Sequence, residues 1–267
     1  MRDKTMRVLG ASMGLLLLSG AMAWADEDVK KYMAGSLKSG YVYAAPETRA
    51  IQDDDFSNPA ILLLDEGLKL WKQVDGKEGK SCESCHKDLA KDMGMVGASY
   101  PKYNERVKKM LTVEDQINTC RVDRMGAKEL KWESQDLLAL TIAVKNQARD
   151  KPVKVNVEGP AKEYYDLGKA YYMQRRGQLD LSCAHCHVFY AGNKLRTEVL
   201  SEGHPTGFPL YRLKWQGTGS FQRRARGCNE EIRAEPLPYG AKEYLGVELF
   251  LMKRAEGLPI ETPAVRK

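Results

Sequence analysis

Two cysteine pairs, each followed directly by a histidine, are the residues of this chain whose spacing points to chemistry. They are Cys82, Cys85 and His86, and then Cys183, Cys186 and His187. C-x-x-C-H is the attachment sequence of a c-type haem, in which two thiols bind the porphyrin and the imidazole becomes one axial ligand of the iron. Zinc is the alternative, but neither motif has a second ligand pair nearby. The sequence therefore predicts two covalently bound haem c groups.

An internal repeat relates the two motifs. At an offset of 101 positions, Asp65, Gly67, Gln73, Gly76 and Ser81 recur as Asp166, Gly168, Gln174, Gly177 and Ser182. The second half then has seven extra residues, after which 100–103 aligns with 208–211 and Cys120 aligns with Cys228. Self-similarity of this kind indicates a repeated structural unit, so we expect an internal duplication.

Each half has the order of elements of a small cytochrome c domain. Ile61, Leu64, Leu68 and Trp71 recur at helical spacing and predict a helix over residues 60–74. A haem motif and a long irregular loop follow, and each half ends in an apolar-periodic segment, residues 137–144 and 245–252. The predicted fold is all-α, with two cytochrome c-like domains whose first and last helices cross at Gly67 and Gly168.

The chain divides into five expected segments. Residues 1–25 have basic residues, an apolar run and a small-residue cleavage site, which predict a signal peptide rather than an uncleaved anchor. Residues 26–58 are expected to be an extended N-terminal segment, 59–150 the first haem domain, 151–160 a proline-containing linker and 161–267 the second haem domain. The signal predicts a periplasmic protein, and no later stretch is apolar enough to span a membrane.

Composition argues against a nucleic-acid partner. The formal net charge is +6, and no basic run is interleaved with aromatic residues.

Cys120 and Cys228 remain after haem attachment. A disulfide between them is one possibility in an oxidising compartment. Equivalent positions of two domains should lie well apart, however, whereas a disulfide needs Cα atoms within about 7 Å. We therefore expect each cysteine to be the second axial ligand of its own haem. The competing ligands are His204 in the second half and, in the first half, Met93, Met95, Met110 and Met125.

The halves differ in charge just before these cysteines. Arg224 stands where the first half has Gln116, and Arg223 stands where it has Asp115. A guanidinium group suits an oxyanion, although such arginines also pair with haem propionates or face water. The second haem is therefore the expected chemical site and the first an electron relay. Gly227 either gives a partner access to the sulfur of Cys228 or belongs to an ordinary turn.

Several segments resemble the dihaem form of SoxA, the cytochrome family of the SoxAX complex in bacterial sulfur oxidation. They are residues 46–56, both haem motifs, Arg224-Ala225-Arg226-Gly227-Cys228-Asn229 and Ile232-Arg233-Ala234-Glu235-Pro236. The resemblance implies histidine/cysteine ligation of both haems, through His86 with Cys120 and His187 with Cys228. It also implies that Cys228 is a persulfide and that Arg224 is the site arginine.

The resemblance further implies an enzyme, an L-cysteine S-thiosulfotransferase. Such an enzyme couples thiosulfate oxidatively to a cysteine of the carrier SoxYZ and passes two electrons to the small cytochrome SoxX, its partner in a heterodimer. Two alternatives remain open at this point: a thiosulfate dehydrogenase that releases tetrathionate, and a dihaem electron carrier without a substrate.

Overall fold

The computed structural model describes residues 31–267. The predicted signal peptide, residues 1–25, lies outside the described residues. Within residues 31–267, no helix has the length and apolar character needed to cross a membrane.

The first half contains two long helices with short elements between them. Its elements are α2 (Ile61–Lys72), α3 (Cys82–Cys85), α4 (Leu89–Met93), α5 (Val96–Ser99), β3 (Lys102–Asn104), β4 (Lys109–Leu111), α6 (Val113–Cys120) and α7 (Gln135–Asn146). A π-helical turn, Arg121–Met125, extends α6. The predicted first and last helices of this half are both present.

The second half repeats this arrangement and adds strands. Its elements are α8 (Ala161–Met173), a π-helical turn at His185–Phe189, β5 (Lys194–Leu195), β6 (Glu198–Val199), β7 (Leu210–Arg212), β8 (Gly217–Gly219), α9 (Phe221–Glu231), α10 (Lys242–Arg254) and β9 (Ala264–Arg266). Hairpin β7–β8 pairs Tyr211 with Thr218, as β3–β4 pairs Tyr103 with Met110.

The expectation of an all-α fold is wrong in one respect, because short strands join the helices. The described residues contain three small antiparallel ladders and one three-stranded sheet in which β9 runs parallel to β7. Strands of two or three residues carry too little periodicity to be recognised in the sequence. They turn the connections between helices into defined hairpins.

Both helix crossings occur at the predicted glycines. A Cβ on Gly67 of α2 would lie 2.1 Å from the carbonyl oxygen of Ala139 in α7. A Cβ on Gly168 of α8 would lie 2.0 Å from the carbonyl carbon of Gly246 in α10. Backbone meets backbone at each crossing, which only a residue without a side chain allows.

The N-terminal segment is packed rather than simply extended, so that expectation is wrong for residues 31–58. It forms a hairpin of β1 (Met33–Ala34) and β2 (Leu37–Lys38), followed by helix α1 (Pro46–Asp53). The amide oxygen of Gln52 accepts a hydrogen bond from the backbone N–H of Val265, and the amide nitrogen of Asn58 donates to the carbonyl of Pro263. Polar side chains that look solvent-exposed in the sequence are here buried partners of the C-terminal strand.

The segment expected to link the halves, residues 151–160, lies along a shared core. Val153 is 1% exposed, and its backbone N–H donates to Leu258 while that of Lys154 donates to Ala98. The core around it draws residues from both halves: Ala98, Met110, Ala148, Val153, Val155, Ala161, Tyr164, Leu245, Leu249, Met252 and Ile260. The two halves therefore pack directly against each other.

Candidate haem sites

The first C-x-x-C-H motif lies on a short capped helix. Ser81 begins α3, where its hydroxyl accepts from the backbone N–H of Ser84 at 3.1 Å and its own N–H donates to the Ser84 hydroxyl at 2.9 Å. This reciprocal cap holds Cys82 and Cys85 on one helical turn. His86 follows as the residue that ends the helix.

Cys120 lies at the same cavity as this motif. A cavity of about 510 Å³ is lined by Lys80, Cys85, His86, Asn104, Arg106, Gln116, Cys120 and Arg124. Its volume is in the range of cofactor sites, roughly 300–1,000 Å³. Cys85, His86 and Cys120 line the cavity, and Cys82 lies on the same helical turn as Cys85. Two thiols for attachment and an imidazole for the iron are what a covalently bound haem requires, and the sulfur of Cys120 is a second possible ligand, so these residues fit that group. None of the four methionines considered as competing ligands is among the described residues that line the cavity.

Gln116 is directed at the sulfur of Cys120. Its amide nitrogen donates to the Cys120 sulfur at 3.1 Å, across one turn of α6. Its amide oxygen accepts from the side-chain nitrogen of Asn104 at 3.1 Å and from the Tyr100 hydroxyl at 3.4 Å. Two partners thus fix the orientation of the amide. Sequence reasoning named Gln116 only as the counterpart of Arg224; the i, i+4 spacing from Cys120 was the signal for this contact.

One ring nitrogen of His187, in the second motif, forms a hydrogen bond to the backbone. Its Nδ1 lies 2.7 Å from the backbone oxygen of Ser201. Burial lowers the pKa of His187 to about 4, so the ring is neutral at physiological pH. A neutral imidazole that donates from Nδ1 has Nε2 free as a metal ligand, and the hydrogen bond fixes the ring. Ser201 was not identified from the sequence, because a backbone acceptor leaves no residue-type signal.

Cys228 lies beside the second motif. Burial is the main reason why the pKa of Cys183 is raised to about 11, and the negative charge of Cys228 adds to the shift. The same two causes raise the pKa of Cys186. Each unassigned cysteine therefore faces its own motif. None of the six cysteines, all within the described residues, forms a disulfide, so the Cys120–Cys228 bridge is absent.

Of the three arginines before Cys228, Arg224 is the one that faces its sulfur. The charge of Cys228 is the main cause that raises the pKa of Arg224, against the opposing effect of burial. Arg223 instead lies 4.4 Å above the ring of Trp215, and Arg226 donates to the carbonyl of Leu237. Arg224 is also 3.6 Å from a carboxylate oxygen of Glu231. Of these three arginines, Arg224 alone stands at the sulfur of Cys228, with Glu231 as its carboxylate neighbour.

Two further residues stand close to His187. The positive charge of Arg254, at the end of α10, contributes to the lowered pKa of His187, and its guanidinium donates to the Tyr172 hydroxyl at 2.9 Å. His204 is buried, with Nδ1 2.9 Å from the backbone oxygen of Lys38, and residues 31–267 provide no hydrogen-bond partner for its Nε2. The proximity of Arg254 was missed, because a basic residue in the last turn of a helix is common.

Comparison with known proteins gives a consistent result. Residues 66–153 match the family described as SoxA/TsdA, cytochrome c domain. The L-cysteine S-thiosulfotransferase subunit SoxA of Pseudaminobacter salicylatoxidans is 40% identical over 230 residues, which cover 86% of this chain and 80% of that protein. SoxA of Chlorobaculum tepidum is 32% identical over 284 residues, covering 97% and 98%. The crystal structure of SoxXA from P. pantotrophus matches with a TM-score of 0.83 and 37% identity, over 86% of this chain and 87% of that one.

Proposed function

The chain belongs to the SoxA family, and on this premise we propose that it is the dihaem cytochrome c subunit of an L-cysteine S-thiosulfotransferase. Its cytochrome c domain implies covalently bound haem c. We assign one haem to Cys82, Cys85 and His86, with Cys120 as second axial ligand. We assign the other to Cys183, Cys186 and His187, with Cys228 as second axial ligand.

The repeated elements support a duplication as the origin of this arrangement. Each half has a glycine helix crossing, a hairpin and a helix that carries the unassigned cysteine. We therefore divide the protein into haem domains at residues 59–150 and 161–267. We further propose, from the predicted signal peptide and the family, that it works in the periplasm, with a SoxX-like cytochrome as its partner and the carrier SoxYZ as its protein substrate.

The observation that carries the proposal is the guanidinium of Arg224 beside the sulfur of Cys228, on a side chain that is only 25% exposed. Thiosulfate is a small dianion, and a desolvated arginine binds such an anion more strongly than one in water. The contact with Glu231 is long and partly exposed, so an incoming anion can displace it. Binding at Arg224 would bring the outer sulfur of thiosulfate against the sulfur on Cys228.

The reaction then proceeds in two sulfur transfers. The sulfur on Cys228 forms a bond to the outer sulfur of thiosulfate, and two electrons leave. A haem held by His187 and Cys228 would accept electrons one at a time, and the partner cytochrome would remove both of them. The carrier's thiolate next attacks the transferred sulfur, a bond forms to the carrier, and the sulfur on Cys228 leaves with the electron pair of the broken bond. The balance is one carrier thiol and one thiosulfate giving cysteine S-thiosulfonate, one proton and two electrons.

Substitution at Arg224 tests the anion site. Arg224→Gln gives the second half the residue of the first, and we expect thiosulfate-dependent turnover to fall by about 10²-fold or more with both haems retained, since a charge-assisted contact is lost. Arg223→Gln is the matched control, because Arg223 lies over Trp215. Equal activity of Arg224→Gln and wild type would contradict the assignment.

A second test concerns Cys228 itself. Cys228→Ala should abolish turnover, and the peptide containing Cys228 should have the mass of one additional sulfur if the cysteine is a persulfide. A thiosulfate dehydrogenase would instead release tetrathionate without any carrier protein. An electron carrier without a substrate would not oxidise thiosulfate, so thiosulfate would not reduce its haems. Product analysis with and without the carrier separates these three functions.

A further inference from the structure

Loop 201–204 joins the N-terminal segment to the second haem site. We propose that Glu202 is a positioning residue for His187, because residues 37–43 hold this loop through Glu202 and the loop sets the orientation of the His187 imidazole. The inference rests on the proposed function in one respect, since it takes His187 as the axial ligand of the second haem.

The loop contacts His187 at two places. The Ser201 carbonyl lies 2.7 Å from Nδ1 of the ring. Gly203 packs against the same ring, since a Cβ at this position would lie 3.0 Å from Cγ and 3.1 Å from Nδ1. The N–H of Gly203 also donates to the Ser201 hydroxyl at 3.2 Å, which ties the two contact points together. The direction of the ring therefore follows the position of the loop backbone.

The N-terminal segment fixes that backbone position. The Glu202 carboxylate accepts from the backbone N–H of Lys38 at 3.3 Å and from the Tyr43 hydroxyl at 2.8 Å. Next along the loop, Nδ1 of His204 lies 2.9 Å from the Lys38 carbonyl. The side chain of Glu202 is 16% exposed and that of His204 is 0% exposed. Hydrogen bonds to a carboxylate in so little water are stronger than surface contacts.

The segment that holds the loop is itself anchored. Its tyrosines Tyr32 and Tyr41 stack with ring centroids 3.7 Å apart, a contact that does not use the Tyr41 hydroxyl. Gln52 accepts from the N–H of Val265 in β9. Because β9 pairs with β7 of the second half, residues 37–43 and His187 share one framework. A ligand is held accurately only when its supporting residues are themselves fixed.

This arrangement explains a difference between the halves. Loop 201–204 lies within residues 188–207, the region where the second half has seven more residues than the first. The first half has no loop of this length between its haem motif and its hairpin. The additional residues therefore supply a support for the axial histidine at the site that we assign to the chemistry. The hydrogen bond from Nδ1 raises the basicity of the imidazole and fixes its plane, two properties that tune a haem iron.

The test uses variants of the full chain in complex with its cytochrome partner. Glu202→Ala removes both acceptor contacts, Tyr43→Phe removes one donor, and Glu202→Gln retains an acceptor for Tyr43. Tyr41→Phe is the matched control, because it deletes a tyrosine–carboxylate hydrogen bond in the same segment without touching the loop. The readouts are the haem content, the electron paramagnetic resonance spectrum of the ferric state and the reduction potential of each haem.

We expect Glu202→Ala to shift the g-values and the potential of the second haem while those of the first stay unchanged. Tyr43→Phe should give a smaller shift in the same direction, Glu202→Gln should lie nearer to wild type, and Tyr41→Phe should match wild type. An unchanged second haem in Glu202→Ala, or equal shifts at both haems, would overturn the inference. Failure of the proposed function would look different: wild type would contain a single haem, or its second haem would lack the His187 ligand.

Discussion

At the scale of single residues, the two sites carry different side chains at one equivalent position. Gln116 and Arg224 each stand one helical turn before a cysteine. Gln116 donates a neutral hydrogen bond to its sulfur, whereas Arg224 brings a full positive charge to the neighbourhood of Cys228. On the proposed ligand assignment, the first arrangement tunes a sulfur ligand without attracting an anion, while the second can do both.

Gln116 should set the potential of the first haem. A hydrogen bond to a thiolate ligand withdraws electron density from the sulfur, which makes the iron easier to reduce. Gln116→Leu should therefore lower the reduction potential of the first haem. A hydrogen bond to a charged group contributes about 1.5–3 kcal/mol, which is the upper limit for the free energy that this variant loses at the sulfur. Potentiometric titration measures the change, and the second haem serves as the internal reference. Asn104→Leu, which removes only one partner of Gln116, should give a smaller decrease; an increase in either variant would contradict this account.

At the scale of elements, the glycine crossings decide how closely the helices pack. Gly168→Ala places a methyl group 2.0 Å from backbone atoms of α10, and neither atom belongs to a side chain that could turn away. We expect the free energy of unfolding to fall by about 1–3 kcal/mol or more, as in other overpacked cores. Thermal and denaturant unfolding of the haem-loaded protein measures this change.

Gly227→Ala is the matched comparison for this change. Gly227 is also a helix glycine, but a Cβ there meets nothing within 4 Å. The substitution should raise stability by up to about 1 kcal/mol through helix propensity. If both alanine variants lost stability equally, close packing at Gly168 would not be the cause.

The long helices and the crossing glycines could be predicted from the sequence, whereas the short elements could not. Apolar periodicity over eight or more residues located α2, α7 and α10, and the internal repeat identified Gly67 and Gly168. The packing of residues 31–58 escaped prediction because Gln52 and Asn58 bond to residues more than 200 positions away. At the second candidate haem site, the sequence predicted the grouping of His187, Cys228 and Arg224. It did not predict the contact between the Ser201 carbonyl and His187.

At the scale of the whole molecule, three titratable groups are buried where the halves meet. Glu114 of α6, Lys145 of α7 and Glu248 of α10 are each only 6–7% exposed. Burial, followed by the negative charges of Glu114 and Asp115, raises the pKa of Glu248 to about 8 against the opposing effect of Lys145. The folded protein thus retains a proton that the unfolded chain releases.

The stability of the protein should therefore depend on pH. Between about pH 4.5 and 8 the folded state binds more protons at Glu248 than the unfolded state, so the free energy of unfolding falls as pH rises, by at most about 1.4 kcal/mol per pH unit. Glu248→Gln should flatten this slope and be more stable than wild type at pH 8. Denaturant titrations at several pH values measure it, with the exposed Glu163→Gln as control. A steeper slope in Glu248→Gln would refute the sign.

The core that both halves share around Val153 also implies that neither half can fold alone. A product ending at residue 150 would leave Ala98, Met110 and Ala148 without the apolar residues that cover them, and a product starting at residue 161 would uncover Leu245, Leu249 and Met252. Neither fragment has a finished surface of its own, and exposed apolar faces of this kind aggregate. We therefore expect that a failure of haem attachment at either proposed site leads to proteolysis of the entire polypeptide, and that no functional half of the protein accumulates.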